Sequence, residues 1–160
     1  MITTAYDILS EELDLLQADI ISRHENAGQV ASGKTRSSFE RNMVSDYRGQ
    51  LLGASYSGVL QKGRKPGKLP FDFKDILLRW AAAKRITFNT PSQARTWAFF
   101  VTKKIREEGT RLFRTNSEID IFNTAVDNFS NRLSERIGTF FQEELANTIH
   151  PHPSLSEIVL

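Results

Sequence analysis

Apolar residues recur along the first part of the chain at alternating steps of three and four. Tyr6, Leu9, Leu13, Leu16 and Ile20 fall on one stripe, while Glu11, Asp14, Asp19 and Arg23 point elsewhere, the pattern of an amphipathic helix. Thr4 stands where an N-cap belongs, with Asp7 placed to complete a capping box, and Asn26-Ala27-Gly28 ends the pattern. The spacing predicts a helix over 4–24 packed on its own domain. Between Gly28 and Ser38 the chain is polar and small, which predicts a loop leading into a short helix near 38–42.

From Met43 the helical period gives way to strict alternation. The expected hairpin runs over 43–47, turns at Arg48-Gly49 and returns over 50–60, where Leu52, Ala54, Tyr56, Gly58 and Leu60 alternate with Gly53, Ser55, Ser57 and Val59. A helix then opens after Pro70, with Asp72 as cap and Asp75 in the first turn, and ends near Lys84. Its expected face carries Phe73, Ile76, Leu77, Trp80 and Lys84, and a short extended run follows to Phe88. The next helix is strongly signalled. Thr90-Pro91-Ser92-Gln93 supplies a cap, a proline at the first helical position and a capping glutamine; Ala94, Trp97, Ala98, Val101 and Ile105 form the stripe, and Gly109 terminates it.

Residues 110–116 read as a connector with a short strand at Leu112-Phe113. From Ser117 to Thr148, Ile119, Phe122, Val126, Phe129, Leu133, Ile137, Phe140, Phe141 and Leu145 keep helical steps with no proline inside. One helix of that extent would span about 45 Å at ~1.5 Å per residue, so it either breaks at Gly138 or protrudes to pack on another subunit. His150-Pro151-His152-Pro153 cannot continue it, and Leu155, Ile158, Val159 and Leu160 make an apolar end suited to a neighbour's groove or to fraying. The expected class is α+β: a small antiparallel sheet (hairpin about 43–60) packed with several helices and a long C-terminal helix, one domain over 1–149 with an extended tail over 150–160.

Composition narrows the chemistry. At 160 residues and 39% hydrophobic, the chain can bury a core without staples. It has no cysteine, which excludes disulfides, thiolate metal sites and thiol catalysis. No basic start precedes an apolar run and no stretch of about 18 apolar residues occurs, so neither a leader nor a membrane span is expected, and the reading is a protein made in the cytoplasm. Net charge is +2, from 21 basic against 19 acidic residues, too balanced for a general nucleic-acid binder.

Charge is instead clustered locally. Lys62-Gly63-Arg64-Lys65-Pro66-Gly67-Lys68-Leu69-Pro70 packs four cations, two glycines and two prolines into nine positions, a composition that neither a helix interior nor a central strand carries. It predicts an exposed, shaped loop held between a strand and a helix, touching protein, or nucleic-acid phosphates, or only solvent. The glycine spacing is not that of a phosphate loop. His24, His150 and His152 have no further ligands signalled nearby, and no nucleophile–base pair appears, so no metal, cofactor or catalytic residue is expected. Trp80 and Trp97 read as core. Lys84, one turn from Trp80, places its ammonium near the indole or back toward the basic loop.

Taken with Tyr56, the run from Gly63 to Pro70, then Ile76, Trp80, Lys84 and Ile86, and later Lys104-Ile105 with Gly109-Thr110, resembles minor structural proteins of tailed bacteriophages. These form the neck or tail-completion group that joins the portal-bearing head to the tail. The likeness covers about residues 30–115, the first helix loosely and the last helix and tail hardly at all. Phe71 replaces a common second proline and Lys62 a frequent acidic residue. The resemblance implies a non-enzymatic α+β subunit of the virion that oligomerises as a ring around the DNA channel, with portal, neck or tail proteins as partners and no membrane. On that reading Lys62, Gly63, Arg64, Lys65, Pro66, Gly67 and Lys68 make subunit or DNA contacts, and Trp80, Lys84, Trp97 and Gly109 are structural. The rival is a nucleic-acid-binding module using the 62–68 loop with Lys103, Lys104, Arg106 and Arg111.

Overall fold

The computed structural model describes residues 4–149, and the 150–160 tail, with its two histidines, lies outside them. Helix α1 (Ala5–Asn26) opens on the expected box: Thr4 Oγ1 accepts from the Asp7 amide at 3.1 Å while the Asp7 carboxylate accepts from the Thr4 amide at 2.9 Å. Leu13, Leu16 and Ile20 are buried as the stripe requires, but Tyr6 is 40% exposed and Glu12 is buried in its place.

Helix α2 (Lys34–Ser37) comes before the short helix expected near 38–42, because β1 (Glu40–Ser45) already begins there. β1 pairs antiparallel with β2 (Arg48–Leu52), and the register slips between Met43 and Ser45. The hairpin therefore covers 40–52 rather than 43–60, and its turn is Asp46-Tyr47, not Arg48-Gly49. The second arm stops at Leu52 because Tyr56 opens helix α3 (Ser57–Lys62). Gly49 lies so close to α1 that a side chain there would meet Leu13.

Helices α4 (Phe73–Ala83) and α5 (Pro91–Glu108) form a helical hairpin whose principal packing is mutual. Asp72 holds the N-cap position of α4 but makes no capping hydrogen bond, and its carboxylate lies 3.7 Å from Arg79. α5 follows expectation at both ends: Thr90 Oγ1 accepts from the Gln93 amide at 3.2 Å, and Gly109, at φ 81°, terminates it. Leu112-Phe113 is not a strand but part of helix α6 (Arg111–Arg114).

Helix α7 (Asn123–Ile149) starts six residues later than the periodicity implies and runs unbroken through Gly138. Residues 117–122 are non-helical because Gln61 claims their backbone. Its carbonyl accepts from the Ile119 amide at 3.0 Å and its Oε1 from the Phe122 amide at 2.9 Å.

α7 lies along α1, and together with the β hairpin they enclose the core: Leu13, Leu16, Ile20, Phe39, Ile121 and Ala125, with Leu9, Met43, Leu51, Leu60, Phe122 and Phe129 around them. Phe39 and Phe122 meet edge to face at 6.5 Å. The α1–α7 seam is locked by charge. The Glu12 carboxylate, 1% exposed, accepts from Arg132 Nε at 2.8 Å and Arg136 Nη1 at 2.9 Å, and Arg136 also reaches Glu11 at 2.6 Å.

Candidate assembly interface

The basic loop is a tethered strap. It leaves α3, not a strand, at Gly63, whose φ of 76° and ψ of 178° suit only glycine. Arg64 then pairs with Thr110 through the backbone: the Arg64 amide donates to Thr110 Oγ1 and the Thr110 amide to the Arg64 carbonyl, both at 2.9 Å. Three residues on, the Gly67 amide donates to the Arg106 carbonyl at 2.9 Å. Gly63-Arg64 and Gly109-Thr110, far apart in sequence, are thus one structural joint between the loop and the α5–α6 corner.

Two of the four cations have partners of their own. The Arg64 guanidinium folds back on its own loop and donates to the Lys68 carbonyl at 2.9 Å, while Lys62, the last residue of α3, faces Glu118 at 3.8 Å. Lys65 and Lys68 are exposed and have no ion-pair partner among the described residues. Of the other basic candidates, Lys104 faces Glu108 and Arg106 faces Glu107, each at 4.0 Å.

The hairpin beyond the strap buries very little of what it carries. The α4–α5 seam is closed by Ala81 and Ala98, each 1% exposed, small enough to let the helices approach closely. The large side chains are thereby turned away. Phe71, Ile76, Trp80, Ile86, Phe99 and Phe100 are all exposed, with Phe99 and Phe100 edge to face at 5.6 Å and Lys74 over the Phe99 ring at 5.9 Å. Trp80 at 42% exposure is not the core residue expected. Trp97 is half-buried and packs on Phe88 at 5.3 Å. The Lys84 ammonium approaches neither the indole nor the basic loop; it donates to the Gly28 carbonyl at 2.8 Å, joining α4 to the turn after α1.

A second apolar surface lies at the far end of α7. Residues 141–149 are exposed throughout, and Phe141, Leu145 and Ile149 recur at four-residue steps along that length. Such stripes on a folded chain mark contact surfaces. Sequence periodicity identified the long helix and left its continuity through Gly138 open, but the hairpin's exposed aromatics carry no distinguishing signal, because the same spacing serves a buried face.

Besides Glu12, His24 is a second buried titratable group. It is 2% exposed, and neither ring nitrogen has a hydrogen-bond partner among the described residues. Burial pushes its pKa down; Glu25 opposes this and Lys84 adds to it. The unfolded chain therefore takes up a proton before the folded chain does, so His24's contribution is complete above about pH 6.5 and declines as pH falls below it. Urea midpoints should drop between pH 7.5 and 5.5, and a His24→Asn variant should lose most of that difference.

Among the described residues no group of three or more histidine, aspartate or glutamate side chains is placed to hold a metal, and no helix is long and apolar enough to cross a membrane. No protein-family model, curated protein or solved structure matches the chain.

Proposed function

We propose that this chain is a structural subunit of a bacteriophage head-to-tail connector, a neck or tail-completion ring, and that it acts by oligomerising around the DNA channel rather than by catalysis. The observation that carries the reading is the α4–α5 hairpin, which spends alanines on its own seam and holds five large apolar side chains at the surface, with Phe71 just before it. A ring needs two different surfaces that meet head to tail. The hairpin's aromatic face and the exposed end of α7 are two such surfaces on separate elements. The residues that carry the resemblance to neck proteins lend it further support, since Arg64 and Thr110, from two of its separate motifs, are hydrogen-bonded partners. The subunit would then reside in the virion, with portal, neck or tail proteins above and below.

Sedimentation of the purified chain and electron microscopy of particles test this. A defined oligomer and a virion-borne protein are expected. Phe99→Ser with Phe100→Ser should keep the circular dichroism spectrum and lose the oligomer, because both rings are more than half exposed in the single subunit. A chain that stays monomeric and is missing from virions would sink the reading.

Exposed Lys65 and Lys68 favour a second role, weak sequence-independent contact with DNA phosphates. Salt-sensitive DNA affinity that disappears in Lys65→Glu with Lys68→Glu supports it; affinity unchanged by that pair removes it.

A further inference from the structure

Between the C-terminal end of α1 and the outer hairpin lies an open cavity of about 540 Å³. Val30, Leu60, Ile76 and Trp80 give it apolar walls, and Lys34 and Arg79 stand on its lining as cations. His24 also lines it, buried yet with both nitrogens unpartnered, and the Oε1 of Gln29 is likewise unpartnered among the described residues. Buried polar groups in that state are costly. Those atoms are sealed beneath the cavity floor, so what an occupant meets is the apolar wall of Val30, Leu60, Ile76 and Trp80 and the two cations.

We propose that this cavity receives residues 155–160 of a second copy of the chain. The segment reads Leu155-Ser156-Glu157-Ile158-Val159-Leu160, four apolar residues for the walls and one carboxylate for Lys34 and Arg79.

Reach decides between the chain's own cavity and a neighbour's. α7 runs back along α1, so that Thr4 and Glu144 line one hollow, while His24 sits at the opposite end of α1, roughly 30 Å away at ~1.5 Å per residue. Five further residues carry α7 beyond Glu144 to Ile149, away from His24. Leu155 is six residues past Ile149, at most about 20 Å of extended chain. The segment falls short of its own cavity, which leaves the cavity of a second copy to receive it. The inference rests on the proposed oligomerisation and gives that assembly a specific joint.

Trp80 supplies the readout. In a full-length Trp97→Phe variant it is the only tryptophan, and a synthetic peptide of residues 150–160 should shift its emission to the blue saturably. A peptide carrying Ile158→Asp should bind at least tenfold more weakly. Reversing the rim with Lys34→Glu and Arg79→Glu should weaken the natural peptide about fivefold and be rescued by a Glu157→Lys peptide. No saturable shift, or one indifferent to both Ile158→Asp and rim reversal, overturns the proposal. So does a Trp80 emission that is independent of protein concentration yet altered by Ile158→Asp in the chain, because the segment would then occupy its own cavity. A shift that accompanies self-association even with Ile158→Asp in the chain points to a folded face of the second copy and also overturns it. The assay reads the soluble chain, so peptide binding without incorporation into particles would sink the connector reading alone.

Discussion

Glu12→Ala should lower stability by about 3 kcal/mol, and the thermal midpoint by roughly 6–12 °C at the usual 2–4 °C per kcal/mol for a chain of this size. The carboxylate is 1% exposed and accepts from two arginines on α7. Breaking such a pair ordinarily costs about 3–5 kcal/mol because a charge is left buried. Here the stranded partners are Arg132 and Arg136, whose side chains are 37% and 36% exposed, so water recovers part of the loss and the lower end applies. The penalty belongs to the broken pair rather than to lost packing. Glu12→Leu with Arg132→Met and Arg136→Met should therefore recover most of it, since an apolar set of similar volume replaces the buried ion and its partners and leaves only the solvent-exposed Glu11 without its arginine.

The pH dependence follows from the same geometry. Burial pushes the Glu12 carboxyl up, but hydrogen bonds from Arg136 and Arg132 outweigh it and hold the group below the usual glutamate range. Its stabilisation is complete above the unfolded value of about 4.3 and is lost as pH falls through the lower native value. Chemical denaturation of Glu12→Gln between pH 7 and 3 should show a flatter acid limb than the parent. An unchanged midpoint at pH 7 in Glu12→Ala would mean that the seam is held by apolar contact alone.

What the sequence made legible is what local chemistry decides. The Thr4–Asp7 box, the Thr90–Pro91–Gln93 start and the Gly109 stop are each settled within one turn of chain, and they stand where the pattern puts them. The second hairpin arm failed for a specific reason: Leu52, Tyr56 and Leu60 are spaced by four, a helical step as well as an even one, and only the placement of Gln61 against residues 119–122 decides between them. Trp80 is exposed because α4 closes on α5 through alanine, a choice of partner that periodicity does not carry. Glu12 sits beside Leu13 on the stripe, and its only available signal was distant, two arginines one turn apart on α7. The candidate interface was half legible. The 62–70 loop stood out by composition, whereas the hydrogen bonds that fix the Arg64 backbone come from Thr110, more than forty positions away.

That joint gives the other large effect. Gly109→Ala should cost about 2–6 kcal/mol, combining strain of about 1–3 kcal/mol for a side chain in a glycine-only region with about 1–3 kcal/mol of overpacking. Gly109 holds φ 81° and ψ 179°, and a β-carbon there would lie 2.7 Å from the Arg64 carbonyl oxygen and 2.9 Å from the Phe113 ring. At Gly63 the nearest atoms are the Phe113 amide nitrogen and Thr110 Oγ1, each 2.6 Å away. Backbone meets backbone at both positions, so no rotamer change relieves either clash, and Gly63→Ala should be comparably severe. Gly138 is the control: it lies inside α7 with nothing within 4 Å of its added β-carbon, and alanine there should stabilise by up to about 1 kcal/mol. Denaturant midpoints for the three variants check the ordering, and equal effects at 109 and 138 would show that the loop is not held by this corner. If Gly109→Ala folds at low temperature, amide exchange at Arg64 and Gly67 should quicken first, because their donor bonds end on Thr110 and Arg106. The loop would then keep its exposed cations and lose only its fixed position, separating what Lys65 and Lys68 do by charge from what the strap does by shape.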